Sequence, residues 1–370
     1  MTDLLYSEEE DALRAAVRDL LADHCDTADV LARAESGTPY DPELWKALAD
    51  GMGLAGLLVP EALGGQGATH REVAVVLEEL GRAVAPAPYL TSAVVATEAL
   101  LAFPHSRLRS SGGTPIADDL VGELASGRRI GALAVALNVA PGAAYRLVRH
   151  ENGALHGELT GIADAAIADV LLVPADDGGL YAVEADAVTI SPQVSLDLTR
   201  PVATVVLEGA AGRLLGDAEP AVRRGLRAGA GLLASEQLGL ADWCLTETVR
   251  YLKDRKQFNR PVGGFQALKH RLAQLWLEVV NARAAARNAA DALATGSTDA
   301  DVAVALAQAY AAPVAVHAAE EAVQLHAGIG MTWEHPVHLY LKRAKADSIA
   351  YGTAGRHRDA LAGLVDLPAP

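Results

Sequence analysis

Basic charge, cysteine and phenylalanine are all scarce in this chain of 370 residues, and each scarcity removes a class of function. Lys and Arg number 31 against 47 Asp and Glu, for a formal net charge of −16. That balance opposes binding to a phosphate backbone, which needs cations gathered on one face, so no nucleic-acid partner is expected. The two cysteines, Cys25 and Cys244, are far apart and lack metal-ligand spacing. Neither a disulfide framework nor a metal site is expected, and both read as small buried hydrophobes. The start, Met1 to Glu10, is acidic and has no basic, then apolar, signal-peptide pattern. The most apolar stretches, such as Val94 to Phe103, are too short to cross roughly 30 Å of hydrocarbon. A cytoplasmic protein with no membrane partner is the expectation.

What is abundant is aliphatic. Apolar residues make up 51% of the chain, and alanine runs such as Ala284, Ala285 and Ala286 favour helix. The length implies two or three domains. Ser7 with Glu10 reads as a capping box ahead of Leu13, Val17, Leu20 and Leu21 at helical spacing. A loop from Val59 to Thr69, carrying Pro60, Gly64, Gly65 and Gly67, precedes a second helix through Val73, Val76, Leu77 and Leu80. The Ser, Arg, Gly and Pro of His105 to Pro115 suit an exposed connection. Short β-branched or alternating runs follow at Ile130 to Val139, Tyr145 to His150, Asp169 to Pro174, Leu180 to Val183 and Ala203 to Leu207. Helical periodicity returns after Pro220 and lasts to about Leu364, with breaks near Gly263, Gly296 and Gly328 to Gly330; Leu268, Leu272, Leu275 and Val279 mark one buried face. The expected architecture is α+β, mostly α: an N-terminal helical domain over 1–119, a middle β domain over 120–218 and a C-terminal four-helix bundle over 219–370.

Motifs narrow the function. Arg255-Lys256-Gln257-Phe258-Asn259-Arg260-Pro261-Val262, with Phe265-Gln266 and Lys269-His270 after it, resembles a signature of the acyl-CoA dehydrogenase family. Gln324-Leu325-His326-Ala327-Gly328-Ile329-Gly330, followed by Thr332, Glu334 and Pro336, resembles the same family's glycine-bearing flavin segment. Ile349-Ala350-Tyr351-Gly352-Thr353 stands where that family has an aromatic residue, Glu, Gly and Thr. The resemblance covers nearly the whole chain and implies the acyl-CoA dehydrogenase fold, FAD as cofactor, an acyl-CoA substrate and an electron-transfer flavoprotein as acceptor.

The residue types suit a dinucleotide. A guanidinium such as Arg255 can engage two pyrophosphate oxygens with its planar fork. Phe258 and Phe265 offer flat apolar surface, and Gln257, Gln266 and Gln324 offer both donor and acceptor. Gly328, Gly330 and Gly352 let backbone approach a ligand where a Cβ would clash, and Thr353 can donate to a flavin oxygen. His270 and His326 read as structural.

The departures are as informative as the matches. The family's α-proton is taken by a carboxylate, but here that position holds Tyr351, a phenol that titrates near ~10 and is a poor base at neutral pH. The alternative family position for the base, on the first long helix of the last domain, aligns with Gly229. Glu236 and Glu247 lie on the same stretch and either could in principle reach a site, although neither matches a known base position of the resembled family. In the β domain, Ala136-Leu137-Asn138-Val139-Ala140-Pro141-Gly142-Ala143 lacks the hydroxyls and acid that the resemblance implies around the flavin ring, and Gly161 stands where a Trp belongs. In the resembled family the β domain cradles its own flavin while the Arg255-type and Gln324-type segments reach a neighbour's. The expectation is a partner subunit of a heteromeric enzyme with two copies of each chain, similar to the paired enzymes of steroid side-chain degradation, whose second subunit supplies the catalytic Glu. A self-sufficient homo-oligomeric flavoenzyme with an unconventional base, and a non-catalytic acyl-CoA binder, remain alternatives.

Overall fold

The structure, a computed structural model, describes residues 4–38, 40–105 and 115–367. It begins with α1 (Glu8–His24), α2 (Thr27–Ala34), α3 (Pro42–Lys46), α4 (His70–Ala83), α5 (Thr97–Leu100) and α6 (Pro115–Ala125). Helix α1 starts where expected. The Ser7 hydroxyl accepts the Glu10 N–H at 3.1 Å, and the Glu10 carboxylate accepts the Ser7 N–H at 2.6 Å, satisfying two otherwise orphaned donors. In the glycine-bearing loop, a Cβ on Gly65 would lie 2.1 Å from the Val59 carbonyl oxygen, so no larger residue fits that fold-back. The expected connection over 106–114 lies outside the described residues. Helix α6 runs across the expected division between 119 and 120.

Eight strands follow: β1 (Gly131–Leu133), β2 (Arg149–Glu151), β3 (Ala154–Ala163), β4 (Val170–Pro174), β5 (Gly179–Glu184), β6 (Thr189–Gln193), β7 (Val202–Ala210) and β8 (Arg213–Asp217). One sheet has the order β1-β4-β5-β8, and the other β2-β3-β7-β6. All pairings are antiparallel except β1 with β4, where Gly131 aligns with Val170. The run at Ile130 to Val139 becomes strand only through Leu133; beyond it the chain turns, with Leu137 N–H bonded to the Gly161 carbonyl at 2.9 Å. Strands β3, β6 and β8 escape a hydrophobic-pattern reading because polar residues, glycine or proline interrupt their apolar alternation.

The C-terminal part holds three long helices, α7 (Ala218–Asp254), α8 (Gln266–Ala294) and α9 (Ala300–His326), with α10 (Val337–Asp347) and α11 (Ala354–Leu364) packed on α9 in the fourth place. A two-stranded hairpin, β9 (Lys256–Gln257) and β10 (Arg260–Pro261), joins α7 to α8. Of the expected stripe on α8, Leu275 and Val279 are buried while Leu268 and Leu272 are only half-covered, because the start of that helix projects beyond its neighbours. The stretch Ala300–Met331 is apolar and long enough to cross a bilayer by composition, but 67% of its most apolar window is buried inside the protein, as for the central helix of a bundle.

Helix α7 unites the molecule. Its first half shares one core with α4, α5 and the sheets, and its second half shares another with α8, α9 and α10. Where α4 crosses α7 the backbones touch: a Cβ on Gly81 would lie 2.1 Å from the Glu236 carbonyl oxygen, and one on Gly239 would lie 1.9 Å from that of Glu78. Beside this crossing, Arg200 donates to Glu236 at 2.6 and 2.7 Å and to Asp347 at 2.7 Å, while Arg343 donates to Glu236 and Asp197 at 2.5 Å. All five side chains are buried. They tie the segment before β7, the middle of α7 and the end of α10 into one network. Gly239→Ala is expected to force α4 and α7 apart and to destabilise the protein by about 1–3 kcal/mol; a midpoint of denaturant unfolding equal to wild type would refute the contact.

Candidate functional site

Two places hold the residues singled out by sequence, at opposite stretches of α7. The first surrounds Tyr351, in the turn between α10 and α11. Its backbone is left-handed (φ 52°), its N–H donates to the Leu137 carbonyl at 2.6 Å, and its carbonyl is 2.9 Å from Nε2 of the buried His357. These bonds aim the ring inward, where it is only 3% exposed. A Cβ on Gly229 would lie 3.1 Å from the Tyr351 Cζ. The two alternative positions for a base therefore face each other, and the tyrosine ring fills the space between them. The remaining cavity, lined by Thr91, Val95, Leu133, Leu137, Leu226 and Tyr351 among others, is about 20 Å³. That is room for about one water, against roughly 300 Å³ or more for a ligand pocket. Burial pushes the Tyr351 phenol well above its ordinary pKa, so it is no general base at neutral pH.

One carboxyl at this site had no sequence signal beyond an Asp after a strand. Asp164 is buried, its carboxylate accepts from the Thr91 hydroxyl at 2.5 Å, and burial pushes its pKa up to about 6. That value would suit a base, yet the space of about 20 Å³ beside Thr91 and Tyr351 is too small for a substrate. Gly352 is needed for the backbone itself: its φ is 103°, and a Cβ there would lie 2.7 Å from that of Ala140. Thr353 is exposed and caps α11, its hydroxyl accepting the Arg356 N–H at 3.4 Å.

Next to this lies an open cleft of about 320 Å³ lined by Leu137, Asn138, Thr160, Gly161, Gln193 and Ile349 among others. The Gly161 N–H is taken by the chain's own Gln193 Oε1 at 3.0 Å. Among the described residues no aromatic side chain lines the cleft, so a flavin ring would find neither a stacking partner nor that donor. The cleft does not fit an isoalloxazine.

The second place is the far end of α7. Arg255 caps that helix, and the hairpin turns at Phe258 and Asn259, both in the left-handed region at φ 51° and 61°. This presents Phe258 to solvent, 85% exposed. Phe265 meets it edge-on at 6.1 Å between ring centroids and carries the Arg260 guanidinium 3.9 Å above its face. Gln257 and Gln266 are exposed beside them. The Gln324–Gly330 turn adjoins the same end, because Tyr251, one turn before Arg255, stacks on His326 at 4.5 Å. Gln324 is exposed and Gly328 has open space where its Cβ would be. Gly330 is a packing glycine, since a Cβ there would lie 2.5 Å from the Val323 carbonyl oxygen. Exposed guanidinium, amides and aromatic face fit the adenine and pyrophosphate end of a dinucleotide held from outside.

Helix α7 sets the distance between the two places. From Gly229 to Asp254 it rises about 38 Å. Glu247 lies about 27 Å along the helix from Gly229 and is paired with Arg250, whose hydrogen bonds hold its carboxyl below the usual range. Glu236 is locked between Arg200 and Arg343. A third feature is a pocket of about 300 Å³ where Arg223 and Arg227 of α7 and Arg356 of α11 converge with His357 and Asp301, a local positive site on an acidic chain.

Comparison with known proteins agrees with these motifs. Residues 7–111 match the model of the acyl-CoA dehydrogenase N-terminal domain, and residues 220–364 that of the C-terminal domain. The chain is 38% identical over 347 residues to the acyl-CoA dehydrogenase IpdE2 of Mycolicibacterium smegmatis, covering 94% of this chain and 95% of that protein. It is similar in structure to a chain of the ChsE4-ChsE5 complex from Mycobacterium tuberculosis, with a TM-score of 0.86, 29% identity and full coverage of both chains. It also resembles a chain of the Tcur3481-Tcur3483 steroid ACAD, with a TM-score of 0.84, 30% identity and coverage of 97% and 98%.

If the Tyr351 ring is what closes the inner cavity, Tyr351→Ala should cost about 3–5 kcal/mol in unfolding free energy and Tyr351→Phe less than about 1.5 kcal/mol. Equal unfolding midpoints for wild type and Tyr351→Ala would show that the ring does not fill it.

Proposed function

The chain belongs to the acyl-CoA dehydrogenase family, and we propose that it acts as the subunit without a working site of its own, completing the flavin site of a second, different acyl-CoA dehydrogenase chain. The observation that carries this reading is the spacing along α7. Within one chain the clamp at Arg255 and the base position at Gly229 and Tyr351 are too far apart to serve one flavin, so the clamp must act on a flavin seated in another chain. In a homo-oligomer that other chain would again offer Tyr351, a closed cavity and a cleft without stacking. A partner carrying an intact base and ring pocket restores one complete site per unlike pair.

FAD is the cofactor of this family, and when bound it supplies the hydride acceptor for α,β-dehydrogenation of an acyl-CoA thioester. This chain's part is binding and orientation. Arg255 engages pyrophosphate, Phe258 and Phe265 cover the adenine, Gln257, Gln266 and Gln324 bond to its polar edges, and Gly328 leaves room for close backbone approach. Gly330 shapes the turn after α9 that carries Gln324 and Gly328, whereas Gly352 and Thr353 shape the Tyr351 turn and the start of α11. The partner supplies the catalytic Glu.

The surface suits such a neighbour. Trp276 is 58% exposed and Met331 79% exposed, and with Leu277, Ile329 and Phe258 they leave large apolar side chains uncovered on α8, the hairpin and the turn after α9. Apolar side chains of this size would be covered by contact with another protein if they form one patch. The similarity to chains of the ChsE4-ChsE5 complex and of a steroid ACAD supports a heterotetramer with a steroid-derived acyl-CoA as substrate. An electron-transfer flavoprotein as acceptor and a cytoplasmic location complete the reading.

A second role, binding of the CoA moiety by this chain, is favoured by the pocket of Arg223, Arg227 and Arg356. Its guanidiniums suit phosphate groups. Calorimetric titration with CoA decides that role: saturable binding lost in Arg227→Ala supports it, and no binding removes it.

Purified alone, the chain is expected to be colourless; co-expressed with the right partner it should give a yellow, active complex. Arg255→Ala should weaken FAD retention in that complex at least ~10-fold, and Arg255→Lys should restore little, because an ammonium lacks the fork. Stoichiometric FAD in a homo-oligomer of this chain, or flavin content unchanged by Arg255→Ala, would overturn the assignment.

A further inference from the structure

Beside the proposed clamp, the side chains of Glu247 on α7, His326 at the end of α9 and His335 just before α10 bring one donor atom each to within 4.8 Å of one another. The chemistry of the three is specific. His326 is fully buried, its Nδ1 lies 2.7 Å from the Ala322 carbonyl, and its Nε2 has no hydrogen-bond partner among the described residues. A ring that donates Nδ1–H to a backbone carbonyl is fixed in the tautomer that turns a bare lone pair outward from Nε2, the arrangement found behind metal-bound imidazoles. A buried acceptor left unpaired is otherwise a cost of roughly 1–3 kcal/mol. His335 faces it, with ring centroids 4.4 Å apart and planes inclined by 49°. Glu247 supplies the negative charge.

We propose that Glu247, His326 and His335 form a binding site for one divalent first-row transition cation of the zinc type, with water completing the coordination. Two imidazoles and one carboxylate are a recurrent three-ligand set for such ions. Burial holds both imidazoles below their ordinary pKa, so they are neutral and able to ligate at pH 7. Arg250 is no obstacle: it bonds to both Glu247 oxygens, but each carboxylate oxygen has a second lone pair, and a hydrogen-bonded carboxylate is a common ligand. Bonds of about 2.0–2.1 Å require the donors to close by roughly 1 Å. The half-buried His335 and Glu247 side chains can supply that movement, His335 giving up the 3.3 Å bond it accepts from the Val337 N–H.

The site sits inside the clamp. His326 lies between Gln324 and Gly328 in the chain and stacks on Tyr251, so an ion there would pin the turn after α9 to the end of α7. The proposal does not rest on the subunit reading and is tested on the chain alone as well as on any complex it forms.

The experiment is calorimetric titration of chelator-treated protein with Zn²⁺, followed by Co²⁺ titration monitored by visible absorbance. One ion per chain is expected, with a cobalt ligand-field band, and affinity at least ~100-fold weaker in His335→Ala and in Glu247→Ala. His326→Ala should behave alike; because His326 is buried, thermal unfolding checks that this variant folds, and His335→Ala carries the test if it does not. His317→Ala, which removes a half-buried histidine paired with Glu278, should leave the affinity unchanged. No saturable binding to the wild-type chain, or the same affinity and stoichiometry in His335→Ala and Glu247→Ala, would overturn the site.

Discussion

A helix cannot shorten, and the length of α7 governs what this molecule can do. Its hydrogen bonds fix the rise between the Gly229 region and the Arg255 region at about 38 Å. Both halves are anchored in separate cores, the first among the N-terminal helices and sheets and the second among α8, α9 and α10. No hinge in α7 lets one end approach the other. The exposed Arg255 end and the buried Gly229 and Tyr351 region are therefore held apart as two separate places on the chain, and the proposed role between chains follows from that separation.

The inner place is closed by the same architecture. The network of Arg200, Arg343, Glu236, Asp197 and Asp347 fixes α10 against α7, and Tyr351 lies four residues after Asp347, in the turn that ends α10. Burial and the Glu236 charge push the Asp347 carboxyl up, while the paired guanidiniums pull it down. Both guanidiniums are needed to hold the network, because removing either leaves a buried carboxylate uncompensated. The Tyr351 ring packs against Gly229, which accommodates it by lacking a side chain.

Much of this was legible in the chain itself. The capping box at Ser7, the glycine loop before Thr69, the strands at Val170, Gly179 and Val202 and the three long helices all follow from local rules: a side chain satisfying a nearby backbone donor, a turn that only glycine fits, apolar residues at period two or near four. Strands β3, β6 and β8 were not legible that way, since their places are set by pairing with β7 and β5 rather than by their own alternation. The half-covered Leu268 and Leu272 show the opposite failure, a stripe apolar enough to predict burial on a stretch of helix that its own chain leaves uncovered.

The site divides along the same line. The sequence by itself determined the family, the flavin-type motifs and the absence of a carboxylate at residue 351, because motifs and substitutions are properties of residue order. Only the tertiary structure decided that residues 229 and 351 face one another across a closed cavity, that Gln193 occupies the Gly161 N–H, that Gly330 and Gly352 are needed for packing and backbone shape, and that Glu247, His326 and His335 meet. Those facts depend on contacts between segments distant in the chain, and such contacts are fixed by how helices and sheets pack, which spacing along a sequence does not encode.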